Sequence, residues 1–374
     1  MKKIILFTCF LLTFFTSCDI QLKRNHNDPL NIVVQKTHPS PENLWLYTSG
    51  RYLIGVNPST LEPELVAKFN FYLSNPLYIN GKFYVALSSG LDFTDWAYRI
   101  VCLNKDLTLN CRIPVHPNTT RIVQHVNYLV SDSACYNAYG QSGFAITDLT
   151  TNQPIFKCES LNEMISNVGD IWGYKNKLYL ANYPRGNTPF SISIFDLDKM
   201  DFEEKHSSKF CSKPDELPHE YTSILINNNQ LWINYYFDSV ICVYDLDTNE
   251  RLARIDLKQF FPEFSDKNNI FSTEYDSFKN GMSAPKFIDG KFHVLFRKEY
   301  QHEDTYSYLN SLLIINPETF ELEKELRLKE NIIVPNEIIY PVSKDNSILL
   351  RTYGTFYKFD LTTGELLEII ESFN

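Results

Sequence analysis

The sequence is short of several things, and each shortage narrows what the protein does. There are 13 glycines in 374 residues, and no glycine-rich phosphate-binding loop among them. Lys and Arg number 35 against 45 Asp and Glu, for a formal charge of −10. With no cationic excess to neutralise phosphates, nucleic acid is excluded as a partner. There is no G-x-S-x-G nucleophile elbow and no H-E-x-x-H zinc helix; "HEYTS" at His219–Ser223 starts like one but lacks the second histidine. No C-x-x-C metal spacing occurs. No catalytic residue, metal ligand or cofactor is therefore expected from linear motifs. Past residue 17 no apolar run is long enough to cross a membrane as a helix.

What is abundant is aromatic and strand-like. The chain has 27 Phe and 23 Tyr against 4 Met, a bias that suits pleated, half-buried surfaces. Hydrophobic residues at 44% and charged residues at 21% describe an ordinary globular protein.

One hairpin recurs through the chain. "VYDLDTNERLARI" runs apolar and alternating into Asp245, turns, and alternates out again. Similar stretches turn at Asn57, Asn104, Asp148, Asp196, Asn316 and Asp360, with gaps of 47, 44, 48, 49, 71 and 44 residues along the series. A short Asp or Asn side chain bonds backbone groups within such a turn. A second hairpin precedes most copies. "PLYINGKFYVAL" turns at Asn80–Gly81 and "APKFIDGKFHVLF" at Asp289–Gly290, dipeptides that favour two-residue hairpin loops. Two hairpins every 40–50 residues predict an all-β propeller of four-stranded antiparallel blades. The count is seven blades, with six or eight as the alternatives, at residues 30–69, 75–115, 122–158, 168–206, 222–258, 284–328 and 338–371. In blade 1 the first two strands must come from "LNIVVQK" and "NLWLYTS".

The N-terminal stretch "MKKIILFTCFLLTFFTSC" has the basic start and short apolar core of an export signal. Its ending resembles the lipobox of bacterial lipoproteins, which implies Cys18 as the lipid-bearing residue, although Phe15 departs from the usual aliphatic residue. Residues 1–17 then form the signal, 18–29 a tether and 30–374 one propeller domain. Loss of Lys2 and Lys3 moves the formal charge from −10 to −12. The expected location is the bacterial cell envelope, periplasmic or surface-exposed, with membrane contact through the lipid.

"KLYLANYPRGNTPFSISIFDLDKMDFEEK" resembles the YVTN-type repeat, in which a strand ending in an aromatic and Asn precedes a "V-x-V-I-D-x-x-T" strand. This resemblance covers most of residues 30–371 and implies a seven-bladed propeller of the broad quinoprotein-like group. "KFDLTTGELLEI" also resembles the quinoprotein repeat, but the tryptophan expected later in such repeats is missing from every copy, so no quinone cofactor is implied.

Within each blade the first-to-second and third-to-fourth turns are short and share one face. The second-to-third loops and blade-to-blade links are long and share the other, which is the default site. Asp92 and Trp96 in "SSGLDFTDWAY", Tyr183 and Arg185 in "YPRGNTPF", and His302, Glu303 and Asp304 in a loop at residues 297–309 are the ligand-binding candidates. Aromatic groups beside carboxylates or Arg suit a sugar or peptide; in the alternative they cap blade cores. A further insertion, residues 259–283, leads into the same sixth blade. Hairpin register sets Cys102 across from Cys111, either as free packed thiols or as a disulfide.

Three functions fit this sequence. The first is a binding or scaffold module for a protein, peptide or glycan. The second is a glycan- or peptide-processing hydrolase or lyase using groups gathered at the channel mouth. The third is a structural subunit of an envelope complex, which predicts an extended apolar patch on the outer blade edges.

Overall fold

Alternation of apolar and polar residues becomes strand wherever it is seen in the computed structural model. The model describes residues 30–374 except for 59, 61, 89–98, 116–118, 134–142, 159–167, 183–189, 208, 211–221, 236–238, 261–280, 303–304, 330–336, 340–345, 353–354 and 372–374. The chain is an all-β, seven-bladed β-propeller with four-stranded antiparallel blades. The strands fall into two compact units, one with three blades up to Leu161 and one with four from Asn162 onward.

In the first unit, blade 1 holds β1 (Ile32–Lys36), β2 (Trp45–Ser49), β3 (Tyr52–Val56) and β4 (Pro63–Phe69). Blade 2 holds β5 (Tyr72–Ile79), β6 (Lys82–Ser88), β7 (Arg99–Asn104) and β8 (Leu109–Pro114). Blade 3 holds β9 (Thr119–His125), β10 (Tyr128–Ser133), β11 (Gly143–Asp148) and β12 (Gln153–Lys157). Blades 2 and 3 run in simple chain order. Their first strands meet, with Ser74 Oγ on β5 donating to Thr119 O on β9 at 3.5 Å.

Blade 1 departs from the expected order. Both predicted strands form, but β1 pairs with β4, giving the order β1-β4-β3-β2. The edge next to β5 is taken by β2 instead. The reason lies in the side chains. An inner strand is covered on both faces, whereas "IVVQK" leaves Val33 58% and Val34 41% exposed and ends in Gln35 and Lys36. Because β1 stays within its own blade, each of the seven sheets is built from consecutive chain.

In the second unit, blade 4 holds β13 (Val168–Tyr174), β14 (Lys177–Asn182), β15 (Ser191–Asp196) and β16 (Asp201–Ser207). Blade 5 holds β17 (Thr222–Asn227), β18 (Gln230–Tyr235), β19 (Val240–Asp245) and β20 (Arg251–Asp256). Blade 6 holds β21 (Gly281–Ile288), β22 (Lys291–His302), β23 (Thr305–Ile315) and β24 (Leu322–Leu328). Blade 7 holds β25 (Glu337–Ile339), β26 (Ser347–Thr352), β27 (Thr355–Asp360) and β28 (Leu366–Glu371).

Within a unit, successive blades pack face to face. Ile192 and Ile194 of blade 4, with Phe210 of the following link, pack on Leu231, Ile233 and Tyr244 of blade 5. On the other face of blade 5, Trp232 stacks on Phe292 of blade 6 with centroids 4.5 Å apart, and Phe287 meets it edge-on at 5.3 Å. Central strands covered on both faces, such as "SISIFD" of β15, are buried throughout. Fourth strands such as β12 are only partly buried at alternate residues.

The repeated turn joins these blades. Asp360 Oδ1 accepts the N–H groups of Thr362 and Thr363, each at 2.7 Å. Asp148, Asp196, Asp245 and Asn316 make the same pair of bonds. Four residues after each comes one in the left-handed region: Asn152, Met200, Asn249, Phe320 and Gly364, with φ of 51–70°. In blades 3, 6 and 7 that residue rests on the preceding blade. Tyr84 Oη donates to Asn152 Oδ1 at 2.9 Å, Phe320 packs on Trp232, and Lys329 N–H donates to Gly364 O at 2.9 Å.

Gly364 combines a positive φ of 70° with a Cβ position only 1.9 Å from Arg327 O. Gly81 has a φ of 77° but nothing within 4 Å. Gly364→Ala is therefore expected to cost at least ~3 kcal/mol, since backbone must move, while Gly81→Ala costs only the left-handed strain of ~1–2 kcal/mol. Urea unfolding of the two variants measures the difference.

The turn hydrogen bonds also set an acid limit. Thr150 beside Asp148, Lys199 beside Asp196, and the backbone N–H groups of Thr248 and Thr363 at Asp245 and Asp360 hold these carboxyls below the usual range. A folded pKa below the unfolded value of about 3.9 gives stability that is fully present above that pH and lost as pH falls through the folded value. The thermal midpoint is expected to drop below about pH 4. Replacing the four aspartates by Asn, which caps the same turn at Asn316, is expected to flatten that limb in a pH series of melting curves.

Candidate functional site

The two ends of the blades differ in kind. The third-to-fourth turns are tied to the first-to-second turns of their own blades: Leu149 N–H donates to Asn127 O, Leu246 N–H to Asn229 O, and Leu361 N–H to Asn346 O. Both kinds of turn thus lie at one locked end. Asn80–Gly81 and Asp289–Gly290 have positive φ at both residues, as their dipeptides require. The described strand ends that flank segments 89–98, 134–142 and 183–190 and the links 158–167, 208–221, 257–280 and 329–336 lie at the other end of their blades. Blade 7 reverses the pattern, with 340–346 between its first two strands and 353–354 between its second and third.

Most sequence candidates fall in this second set. Asp92, Trp96, Tyr183, Arg185, Glu303 and Asp304 lie outside the described residues, as does Cys18. His302 is the last residue of β22 and pairs with Thr305. This corrects the expectation of a loop at 297–309. Strands β22 and β23 stay in register from Phe292↔Ile315 to His302↔Thr305. Their neighbours stop earlier, β21 at the Gly281↔Arg297 pair and β24 at Asn310↔Leu328. Beyond those pairs the hairpin continues as a two-stranded ribbon with no outer partner among the described residues.

At the strand ends beneath these loops the structure gathers polar groups that the sequence had not singled out. In the first unit, Asp132 is buried and its Oδ1 accepts Arg121 N–H at 2.8 Å. In the second, buried Asp170 reaches from β13 to β17, where its Oδ2 accepts Ile224 N–H at 3.1 Å. Asp170 occupies the position in blade 4 that Ser74 occupies in blade 2, since both pair with an alanine of the second strand, Ala181 and Ala86.

Three asparagines complete the set. Asn182 Nδ2 donates to Ser193 Oγ at 2.8 Å and Ser191 Oγ at 3.3 Å, and Asn234 Nδ2 to Ser223 Oγ at 3.3 Å. Among the described residues, Asn182 Oδ1, Asn234 Oδ1 and Asn310 Nδ2 are buried without a hydrogen-bond partner. The signal in the sequence was slight, a single Asn at or near the end of an apolar run, as in "LYLAN" and "LWIN".

Most of these described groups are amides and hydroxyls, which donate and accept but do not titrate near neutral pH, and the two buried carboxylates accept backbone N–H groups. No group of three or more His, Cys, Asp or Glu able to hold a metal ion occurs among the described residues. His293 is buried with Nδ1 3.1 Å from Lys291 O, and burial pushes its pKa down. It sits near the locked end. No helix among the described residues is long and apolar enough to cross a membrane.

The outer strands of blades 1, 2, 3, 5 and 7 each carry one or two exposed apolar side chains: Val33, Val34, Leu109, Ile155, Leu252, Leu367 and Ile369. Scattered residues of this kind are ordinary on a protein surface.

No protein-family model and no curated protein matches the sequence. Solved structures do resemble the fold. One is a dihydro-heme d1 dehydrogenase, NirN, in complex with DHE, at 12% identity over 91% of this chain and 78% of that one, with a TM-score of 0.50. Another is the quinohemoprotein alcohol dehydrogenase of Comamonas testosteroni, at 9% identity over 88% of this chain and 66% of that one, with a TM-score of 0.52. At such identity the likeness is one of propeller fold alone, and fold does not carry function with it.

Asp170→Ala is expected to destabilise the protein by ~1–3 kcal/mol, because it leaves the Ile224 N–H buried without its acceptor. Denaturant unfolding of this variant beside Asp170→Asn, which keeps an acceptor oxygen, reads the difference.

Proposed function

We propose that this chain is a propeller module of the bacterial cell envelope that binds a protein, peptide or glycan through its long-loop end. The observation that carries this reading is the β22–β23 ribbon, which runs past both neighbouring strands from Arg297 to Asn310. An isolated two-stranded ribbon gains little stability by itself, so a chain that keeps one gains most when something packs on it. Its backbone edges offer hydrogen bonds of the kind used in strand addition. The neutral amide and hydroxyl groups below the loops favour hydrogen bonding to a polar ligand over proton transfer to it. In this reading Cys18 carries lipid, residues 19–29 form the tether, and the mature protein faces the periplasm or the cell exterior.

The test is a ribbon-shortened variant in which Arg297 is joined to Asn310 by an Asn-Gly turn, a dipeptide suited to such a connection. Intact protein and variant are compared on glycan and peptide arrays. The expected result is retention of a defined ligand class by the intact protein and a loss of at least ~10-fold in affinity for the variant, about 1.4 kcal/mol, with an unchanged melting temperature. Equal binding by both would remove the ribbon from the reading. Turnover of an arrayed ligand would replace binding with catalysis.

A further inference from the structure

The third-to-fourth hairpin of blade 2 carries a thiol pair that the proposed binding does not use. Cys102 on β7 lies directly opposite Cys111 on β8, beside a one-residue slip in register. Asn104 N–H donates across this hairpin to Thr108 O at 2.8 Å. Backbone groups alternate in direction along a strand, so Cys102 also turns its N–H toward β8. Facing residues of an antiparallel pair hold Cα atoms about 4.5–5.5 Å apart, inside the range of about 4.4–6.8 Å that disulfides span.

Both sulfurs are thiols here, with Cys102 fully buried and Cys111 partly exposed. The Cys102 thiol donates to Asn110 Oδ1 at 3.8 Å, with Cys111 and Tyr84 beside it. Cβ atoms of facing residues stand about 4.5–5.5 Å apart, against about 3.8 Å in a relaxed disulfide. A bridge between them must draw the strands together, and strained bridges are the readily reduced ones.

We infer that Cys102 and Cys111 form a redox-convertible pair, closing to a cross-strand disulfide by exchange with a small-molecule or protein disulfide and reopening with thiol in the folded protein. Cys111, the accessible partner, attacks the donor disulfide as thiolate. This forms a mixed disulfide and releases one donor thiolate, which takes a proton. Cys102 then gives up its proton and attacks the Cys111 sulfur, expelling the second donor thiolate. Two protein thiols are oxidised to one disulfide, and one donor disulfide is reduced to two thiols.

Burial and the neighbouring Cys111 push the Cys102 thiol up to about 11, which leaves the first attack to Cys111. Closure also shifts the Cys102 sulfur beside Tyr84, whose hydroxyl donates to Asn152 Oδ1 of blade 3. The bridge thus bears on the contact between blades 2 and 3.

Lys105 lies between the cysteines, so trypsin places them on separate peptides, Ile100–Lys105 and Asp106–Arg112. Intact folded protein is equilibrated with oxidised glutathione, alkylated, digested and weighed. The expected product is these two peptides joined and two hydrogens lighter, returning to two alkylated peptides after reduced glutathione without denaturant. Separate peptides after oxidation, or either one joined to a peptide of Cys135 or Cys211, would overturn the inference. So would a bridge that opens only in denaturant. In Cys111→Ser, Cys102 is expected to take up no glutathione while folded, and its modification would contradict the order of attack.

Discussion

Much of this structure depends on one side chain in each of five blades, the Asp or Asn that receives two backbone N–H groups at the third-to-fourth turn. Its oxygen fixes the turn, and the turn delivers a residue in the left-handed region four positions later. What stands there is set by the preceding blade. Opposite the Tyr84 hydroxyl it is Asn152, beside Trp232 it is Phe320, and against the Arg327 carbonyl only Gly364 fits. The following Leu binds the first-to-second turn of its own blade at Leu149, Leu197, Leu246 and Leu361. Local turn chemistry and blade-to-blade packing are therefore one interaction, and the motif repeats because each blade needs its own.

That coupling explains how much of the fold could be read in advance. A motif that fixes chain reversal, flanked by strands whose alternation follows burial, marks the blades wherever both are present, and strand limits fall within a few residues of their expected places. Two readings failed for the same physical reason. Sequence alternation reports burial, not pairing. In β1, Ile32 to Lys36 reads as a strand but says nothing about which edge of the sheet takes it; the adjacent polar Gln35 and Lys36 were the available hint of an outer edge. In the ribbon, "RKEYQHEDTYSYL" has no continuous apolar face, so paired strands looked like loop.

The candidate site was less legible than the fold. Asn182 and Asn234 each interrupt an otherwise apolar strand once, a pattern shared by countless structural asparagines. Only the fold shows that they recur at the same end of successive blades, with serines for partners and one amide oxygen left over on each. Asp170 was hidden differently. Its partner, Ile224 N–H, is backbone and lies in the next blade, so no spacing of side chains announces it.

The division between a locked and a variable end has a consequence for chemistry. At the locked end, every carboxylate of the repeated turn is occupied by N–H groups, and its hydrogen bonds reach the neighbouring blade, so substitutions there change stability before they change recognition. At the variable end, loop length differs from blade to blade while the strand ends beneath remain fixed by buried polar contacts. Recognition can then diverge in the loops without disturbing the blades. Haem- and quinone-linked enzymes share the fold with this chain at about one residue in ten, as expected where selection on the scaffold acts on turns and burial and selection on function acts elsewhere. The thiol pair of blade 2 lies on the locked side of that division. Any change in its redox state bears on blade contacts through Tyr84 and Asn152, not directly on the surface that meets a ligand.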